Sequence, residues 1–361
     1  VTGKKNTARP WLTLAAAGAT GAILLNGVAA PVHAAAPRAT VALQGAGSTF
    51  VAPLMQGKWI PGFTKQHSNV QISYNPTGSG TGISLWSAGS TDFAASDALL
   101  SSTQEAKAKT TCNSDVIKLP VTIGAVALFY NLPGVQSGIK LTPDIVAKIF
   151  LGQIKEWGDL RIQRLNPGLK LPMRPIYVVH RSDGSGTTFI LTNYLSQISK
   201  TWAGQVGSGA TVNWPTGSGA KGSAGVSAVV AQTQGAIGYA DLAYAIKNKL
   251  NYASVQNKSG KYVAPGIASA TAAANSFAGS MPSDLQQIIV NSPAAGAYPI
   301  TGYSYMFLCR GLSGDKGHTL VDFATYVVTK GQSDAPSLYY APLPKSVQDK
   351  DVAAINRVLI H

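Results

Sequence analysis

The chain has 361 residues, enough for two domains of ordinary size, and its 45% hydrophobic and 12% charged content excludes a disordered protein. The formal charge of +14 comes from scattered Lys and Arg, with no basic helix and no basic-aromatic stripe, which argues against nucleic-acid binding and leaves two readings, a mild attraction for anions and a surface adapted to an unusual external pH. Cys112 and Cys309 are the only cysteines, far apart and without the neighbours of a catalytic or metal-binding thiol; a disulfide and two buried thiols both remain open.

Lys4, Lys5 and Arg9 precede an uncharged, largely apolar run over residues 11–30, and Val32 and Ala34 supply small residues at the −3 and −1 positions of a cleavage site. Residues 1–34 are therefore expected to be a signal peptide cleaved near Ala34, which places the mature chain in the periplasm. A retained membrane anchor is the rival, because the run has about the length of a membrane span, although Asn26 and many Ala, Gly and Thr dilute it. The segment has no cysteine for a lipid anchor.

A strand at residues 40–43 runs into Gly45, Gly47, Ser48, Thr49 and Phe50, after which Val51, Leu54, Trp59 and Phe63 take helical spacing with Pro53 in the first turn. The pattern returns twice. A strand at 70–74 leads to Gly78, Ser79 and Gly80 and then to Ile83, Leu85 and Trp86. A short strand at 93–97 ends in Asp97, with a helix start near residues 101–105. Each strand end thus delivers small polar groups to a helix N-terminus, where ligands of open α/β sheets collect. Residues 125–130 read as a buried strand, and Thr142 opens an amphipathic helix carrying Ile145, Val146, Ile149 and Phe150. A strand at 176–179 then enters His180, Arg181, Ser182, Asp183, Gly184, Ser185, Gly186, Thr187 and Thr188. The apolar spacing of Phe189, Ile190, Leu191, Tyr194, Leu195 and Ile198 predicts a helix from about Thr187.

That last stretch has the layout of an anion cradle. First-turn N–H groups and the positive end of the helix dipole favour a phosphate-like ligand. Gly184 and Gly186 allow close approach, Ser185, Thr187 and Thr188 add hydroxyls, and Arg181 adds a five-donor fork that Asp183 would fix in place. A plain polar loop with an N-cap is the alternative for this stretch alone.

Further on, Gly217, Gly219 and Gly222 match G-x-G-x-x-G, but Asn213, Trp214 and Pro215 interrupt any preceding strand, so residues 217–222 are expected to be a loop. A short strand follows at 236–239. Surface helices and loops are expected over 260–297, a strand at 300–308, and helices at 319–329 and 346–360. No internal repeat is found.

Taken together, the Gly45–Phe50 turn, Gly78-Ser79-Gly80, Ala95-Ser96-Asp97 and the run from Arg181 to Thr187 resemble the phosphate-binding proteins of bacterial ABC phosphate transporters. The likeness continues through Phe150-Leu151-Gly152, Asn166-Pro167-Gly168 and Gly235-Ala236-Ile237-Gly238-Tyr239 and covers nearly the whole mature chain. It implies an α/β two-lobed periplasmic binding protein of type II, each lobe a mixed sheet flanked by helices, joined by a two-strand hinge. Lobe 1 would be residues 37–128 plus 303–361 and lobe 2 residues 129–302, with hinge strands near Phe129 and Tyr305. The ligand shell for inorganic phosphate would be Thr49, the Phe50 backbone N–H, Ser79, Asp97, Arg181, Ser185, Gly186 and Thr187, with Asp183 holding Arg181. His180 and Ser182 stand where the family varies and receive no ligand role. The resemblance further implies a monomer without cofactor or catalysis, delivering phosphate to permease subunits and their cytoplasmic ATPase.

The residue chemistry agrees. A dehydrated tetrahedral oxyanion needs fixed donors for the hydrogen bonds it loses. Asp97 repels an anion unless that anion brings a proton, as the hydrogen phosphates do and sulfate at neutral pH does not. An exported phosphatase is the competing reading. Against it, the cradles contain no G-x-S-x-G elbow, the five histidines are scattered, and Asp97 has no evident basic partner for activating a nucleophile.

Overall fold

The structure, a computed structural model, describes residues 40–361, so the expected signal peptide at 1–34 lies outside the described residues. Strand β1 (Val41–Gly47) leads to a bent helical segment made of α1 (Ala52–Leu54), a π-turn (Met55–Trp59) and α2 (Ile60–Thr64). Pro61 explains the π-turn. It has no N–H to give to Gly57, so the ladder widens and the Ile60 N–H reaches back to the Met55 carbonyl. Next come β2 (Val70–Asn75), α3 (Ser79–Trp86), β3 (Phe93–Ser96) and α4 (Ser102–Cys112), the last opened by a capping box between Ser101 and Gln104.

The long strand β4 (Val116–Tyr130) is buried at every position. Its apolar stretch was expected as a strand over 125–130 only. It extends back to Val116 because Val116 to Ala125 pair with a late strand, while Val126 to Tyr130 pair with another. Beyond it lie β5 (Lys140–Leu141), α5 (Pro143–Phe150) with Thr142 as N-cap, α6 (Leu160–Gln163), β6 (Tyr177–Arg181), α7 (Gly186–Ile198) and α8 (Lys200–Gln205).

Residues 217–222 depart from expectation. Ser218, Gly219 and Ala220 form β7 (Ser218–Ala220), parallel to β6, and Gly222 at φ +69° begins α9 (Gly222–Gln232). The segment is a strand, turn and helix start instead of a loop. Its small residues carry no apolar strand signal, and only pairing with β6 extends them.

Then follow β8 (Ala236–Asp241), α10 (Leu242–Lys247), the short strands β9 (Asn251–Tyr252), β10 (Ser254–Gln256) and β11 (Tyr262–Val263), and α11 (Ile267–Ala278). Helix α11 was expected at the surface, yet its small face of Ala270, Ala273 and Ala274 is buried. After β12 (Thr301–Cys309) and β13 (Gly311–Leu312) comes α12 (Gly314–Val328), which starts earlier than its apolar spacing suggests. A 3₁₀ helix (Lys330–Leu338), α13 (Lys345–Ile355) and β14 (Leu359–Ile360) complete the chain. The expected helix over 346–360 stops at Ile355, and its last residues pair with β13 instead.

The main sheet runs β2-β1-β3-β12-β4-β8-β6-β7. Strands β1, β2 and β3 are mutually parallel and share the direction of β4, whereas β8, β6 and β7 run against it. Since β4 changes partner between Ala125 and Val126, the carboxyl ends of both strand sets converge on its middle. Pro120 lies close by, and the β12–β4 register slips one residue between Ser304 and Tyr305. A proline cannot donate to the ladder, and the slip is a bulge of the kind that re-aims a side chain.

Four tryptophans, Trp59, Trp86, Trp157 and Trp202, are fully buried. Cys112 and Cys309 form a disulfide with a Cα–Cα distance of 5.4 Å, tying the end of α4 to the end of β12.

Candidate functional site

Five strand-to-helix turns meet at the middle of β4, and they bring together every residue expected in the ligand shell. After β1, the Ser48 hydroxyl accepts from the Phe50 N–H (3.0 Å) and Val51 N–H (3.3 Å) and donates to Asp97 Oδ1 (2.7 Å). Gly78, at φ +94°, precedes Ser79, the first residue of α3, as only a residue without Cβ does easily. A Cβ on Gly78 would lie 2.3 Å from Asp183 Oδ2, so the glycine also admits the opposite wall.

The Ser79 hydroxyl stands between the two halves. It accepts from the Asp97 N–H (3.3 Å) and from the Gly186 N–H (3.1 Å). Close by, the Gly80 N–H donates to the Gly184 carbonyl at 2.9 Å. Thr49 Oγ1 lies 2.9 Å from Ser223 Oγ and accepts from the Ser223 N–H, while the Tyr244 hydroxyl donates to the Thr49 carbonyl. The cleft between the halves is therefore closed by hydrogen bonds.

Arg181 is almost fully buried and forked onto Asp183, with Nε–Oδ1 2.8 Å and Nη2–Oδ2 2.5 Å. Its remaining nitrogen, Nη1, reaches Ser223 Oγ at 3.4 Å, and the Gly222 N–H donates to Asp183 Oδ1 at 2.9 Å. Burial pushes the Asp183 carboxyl up, but bonding to the Arg181 guanidinium outweighs it and holds the group below the usual carboxylate range. Ser185 caps α7 by accepting from the Thr188 N–H. Thr187 Oγ1 is buried with no protein partner. A buried hydroxyl with no partner costs free energy unless something else bonds to it.

Asp97, nearly inaccessible at the end of β3, carries the informative electrostatics. Oδ1 accepts from both Ser48 Oγ (2.7 Å) and Ser304 Oγ (2.6 Å), which leaves Oδ2 as its free acceptor. Burial raises the group to about 6, against the two serine hydroxyls and the more distant Arg181, which pull it down. A Cβ on Gly186 would lie 2.6 Å from Oδ2, so the first residue of α7 must be glycine for the halves to meet.

Sequence reasoning missed Ser48, Ser223 and Ser304. Ser48 stood inside a quoted motif but looked like an ordinary turn residue. Ser223 follows the turn expected as a loop, so the G-x-G-x-x-G spacing was its one available signal. Ser304 lies 207 residues from Asp97 in a strand, and the bulge beside Pro120 aims it.

A family model described as a PBP superfamily domain matches residues 34–330. The phosphate-binding protein PstS of Xylella fastidiosa is 39% identical over 310 residues, covering 85% of this chain and 83% of the relative. The phosphate-binding protein PstS of Methanocaldococcus jannaschii is 38% identical over 342 residues, covering 88% and 87%. Among solved structures, a phosphate binding protein from Stenotrophomonas maltophilia superposes with a TM-score of 0.67 at 21% identity, covering 87% of this chain and 94% of that one, a likeness of fold. With the superfamily matched over most of its length and relatives this similar over more than four fifths of it, the chain belongs to the PstS-like family of phosphate-binding proteins within the PBP superfamily.

Proposed function

We propose that this protein captures inorganic phosphate between its two halves and hands it to an ABC phosphate permease with its cytoplasmic ATPase, working as an exported, monomeric, non-catalytic binding protein of the periplasm. The lobes are residues 37–128 plus 303–361 and residues 129–302, hinged on β4 and β12. Phosphate is held by Thr49, the Phe50 N–H, Ser79, Asp97, Arg181, Ser185, the Gly186 N–H and Thr187. Asp183 keeps the Arg181 fork in place.

The observation that carries the reading is the state of Asp97. With Oδ1 occupied by Ser48 and Ser304, Oδ2 is the acceptor left for a ligand, inside a site otherwise built of donors. An oxyanion that fits must bring its own proton to Oδ2. Hydrogen phosphates do so, whereas sulfate would set two acceptors face to face. Leaving a buried charged group without its hydrogen bond costs about 3 kcal/mol, or on the order of a hundredfold in affinity. The names of the relatives, and that of the similar fold from Stenotrophomonas maltophilia, point the same way. Titration calorimetry of the mature protein near neutral pH should give tight binding of phosphate and at least about a hundredfold weaker binding of sulfate. Equal affinities would sink the role given to Asp97.

A further inference from the structure

Behind the ligand site a second carboxylate is buried, and the binding chemistry does not use it. Asp241 ends β8 opposite Val126, where β4 changes partner. Its Oδ1 lies 2.7 Å from the Tyr340 hydroxyl, which lies 2.6 Å from the Phe50 carbonyl. Tyr340 follows the 3₁₀ helix, so the chain of contacts runs from β8 through the C-terminal segment to the turn after β1 and ties the two halves together behind the cleft.

Counting protons on this chain assigns them. A carbonyl cannot donate, so at 2.6 Å the single Tyr340 proton must point at Phe50. The 2.7 Å contact on the other side of the same oxygen then needs a proton from Asp241. If Asp241 were ionised, one of the two short contacts would set lone pairs against each other. Its second oxygen, Oδ2, is buried with no protein partner, and among the described residues Asp241 joins no ion pair.

The titratable groups facing it are Tyr340 from the C-terminal segment, Tyr244 from α10 and Asp97 from the end of β3. None is a cation. The N–H groups of Asp241 itself and Tyr244 lie near enough to favour the anion, but no amide of the α10 first turn is capped by the side chain. Burial, the first of these influences, pushes the carboxyl well above its usual range, and the charge of Asp97 adds to it.

We propose that Asp241 stands as the neutral acid in the closed protein, donating to Tyr340, and that closing the lobes on ligand takes up a proton there, outside the ligand site. With the lobes apart, water reaches the carboxylate, which ionises in the ordinary carboxylate range. Closing removes that water and restores the proton. Affinity then falls as pH rises from the ordinary carboxylate range toward the raised value of the closed form, by up to about tenfold per pH unit from this group.

The inference rests on phosphate capture by closure, and the test separates the two. Phosphate is titrated at about pH 7 in buffers of different ionisation heat, with wild type and Asp241→Asn, whose amide can still donate to Tyr340. Wild type should take up more protons than the variant, by at most one, and the variant should lose that part of its affinity's pH dependence. Equal proton counts overturn the proposal. Infrared difference spectra, phosphate-bound minus phosphate-free, of the two proteins give a second readout. The carbonyl stretch of a neutral carboxylic acid should appear on binding in wild type and not in Asp241→Asn; a wild type that binds phosphate without that band overturns the proposal, whereas the absence of any binding heat overturns phosphate capture itself.

Discussion

Burial of Asp97 sets two demands against each other in one carboxyl group. Desolvation favours the neutral acid, while Ser48, Ser304 and Arg181 favour the anion, and the outcome is a group at about 6 against an ordinary 3.8. Because the folded value is raised, the native state binds the extra proton between those values. The ionised group therefore destabilises the closed fold above about pH 6, and that cost fades as pH falls through this range and is gone below 3.8. At 1.36 kcal/mol per pH unit it amounts to about 3 kcal/mol. Denaturant titrations should accordingly find Asp97→Asn more stable relative to wild type at about pH 8 than at about pH 4. In the proposed role of Asp97, selectivity follows the same proton. Below about 6 Asp97 can donate, so sulfate affinity of the wild type should rise as pH falls through this value while that of Asp97→Asn stays flat. Parallel pH profiles in the two proteins would remove Asp97 from selectivity. The sequence offered Asp97 itself, because a carboxylate at a strand end amid small polar residues is conspicuous. It did not offer Ser304, which has no local signal and is aimed by a bulge.

Among the elements, the helix starts divide the work. α7 presents its first N–H to Ser79 across the cleft, and nothing larger than a hydrogen fits on Gly186, where a Cβ would meet the Asp97 N at 2.5 Å. The constraint comes from the opposite lobe, since Gly186 itself has ordinary helical geometry. Gly186→Ala should therefore fold with nearly unchanged stability, as alanine is the better helix former, yet lose at least about tenfold in phosphate affinity because the lobes stop short of contact. Calorimetry with a melting curve checks both halves of this expectation. A variant that binds normally would show that the lobes need not approach this closely. The turns after β1, β2, β3 and β6 were legible because glycines, hydroxyl residues and a following apolar period stand together in the chain. The turn after β7 was not, since Ser218, Gly219 and Ala220 become a strand only through their pairing with β6.

For the molecule as a whole, the decisive feature is that β4 serves two sets of strands running in opposite directions, so both sets end at its middle. The Cys112–Cys309 disulfide closes 197 residues of chain at the far end of β12 from the bulge. Replacing both cysteines by serine should lower the unfolding free energy by about 2 to 4 kcal/mol, while phosphate affinity changes by less than about twofold, because the bridge and the site share no partner. Loss of binding in that variant would tie the bridge to the cleft. The sequence by itself determined the strand and helix types, the polar turns and the residue chemistry of an anion site, because these depend on neighbours within a few positions. It left the cysteines open and read residues 217–222 as a loop. Only the tertiary structure decided the disulfide, the reach of β4 back to Val116, the two serines on Asp97 and the contact of Asp241 with Tyr340. Each of these joins residues far apart in the chain, where register, burial and the count of available protons are fixed by packing.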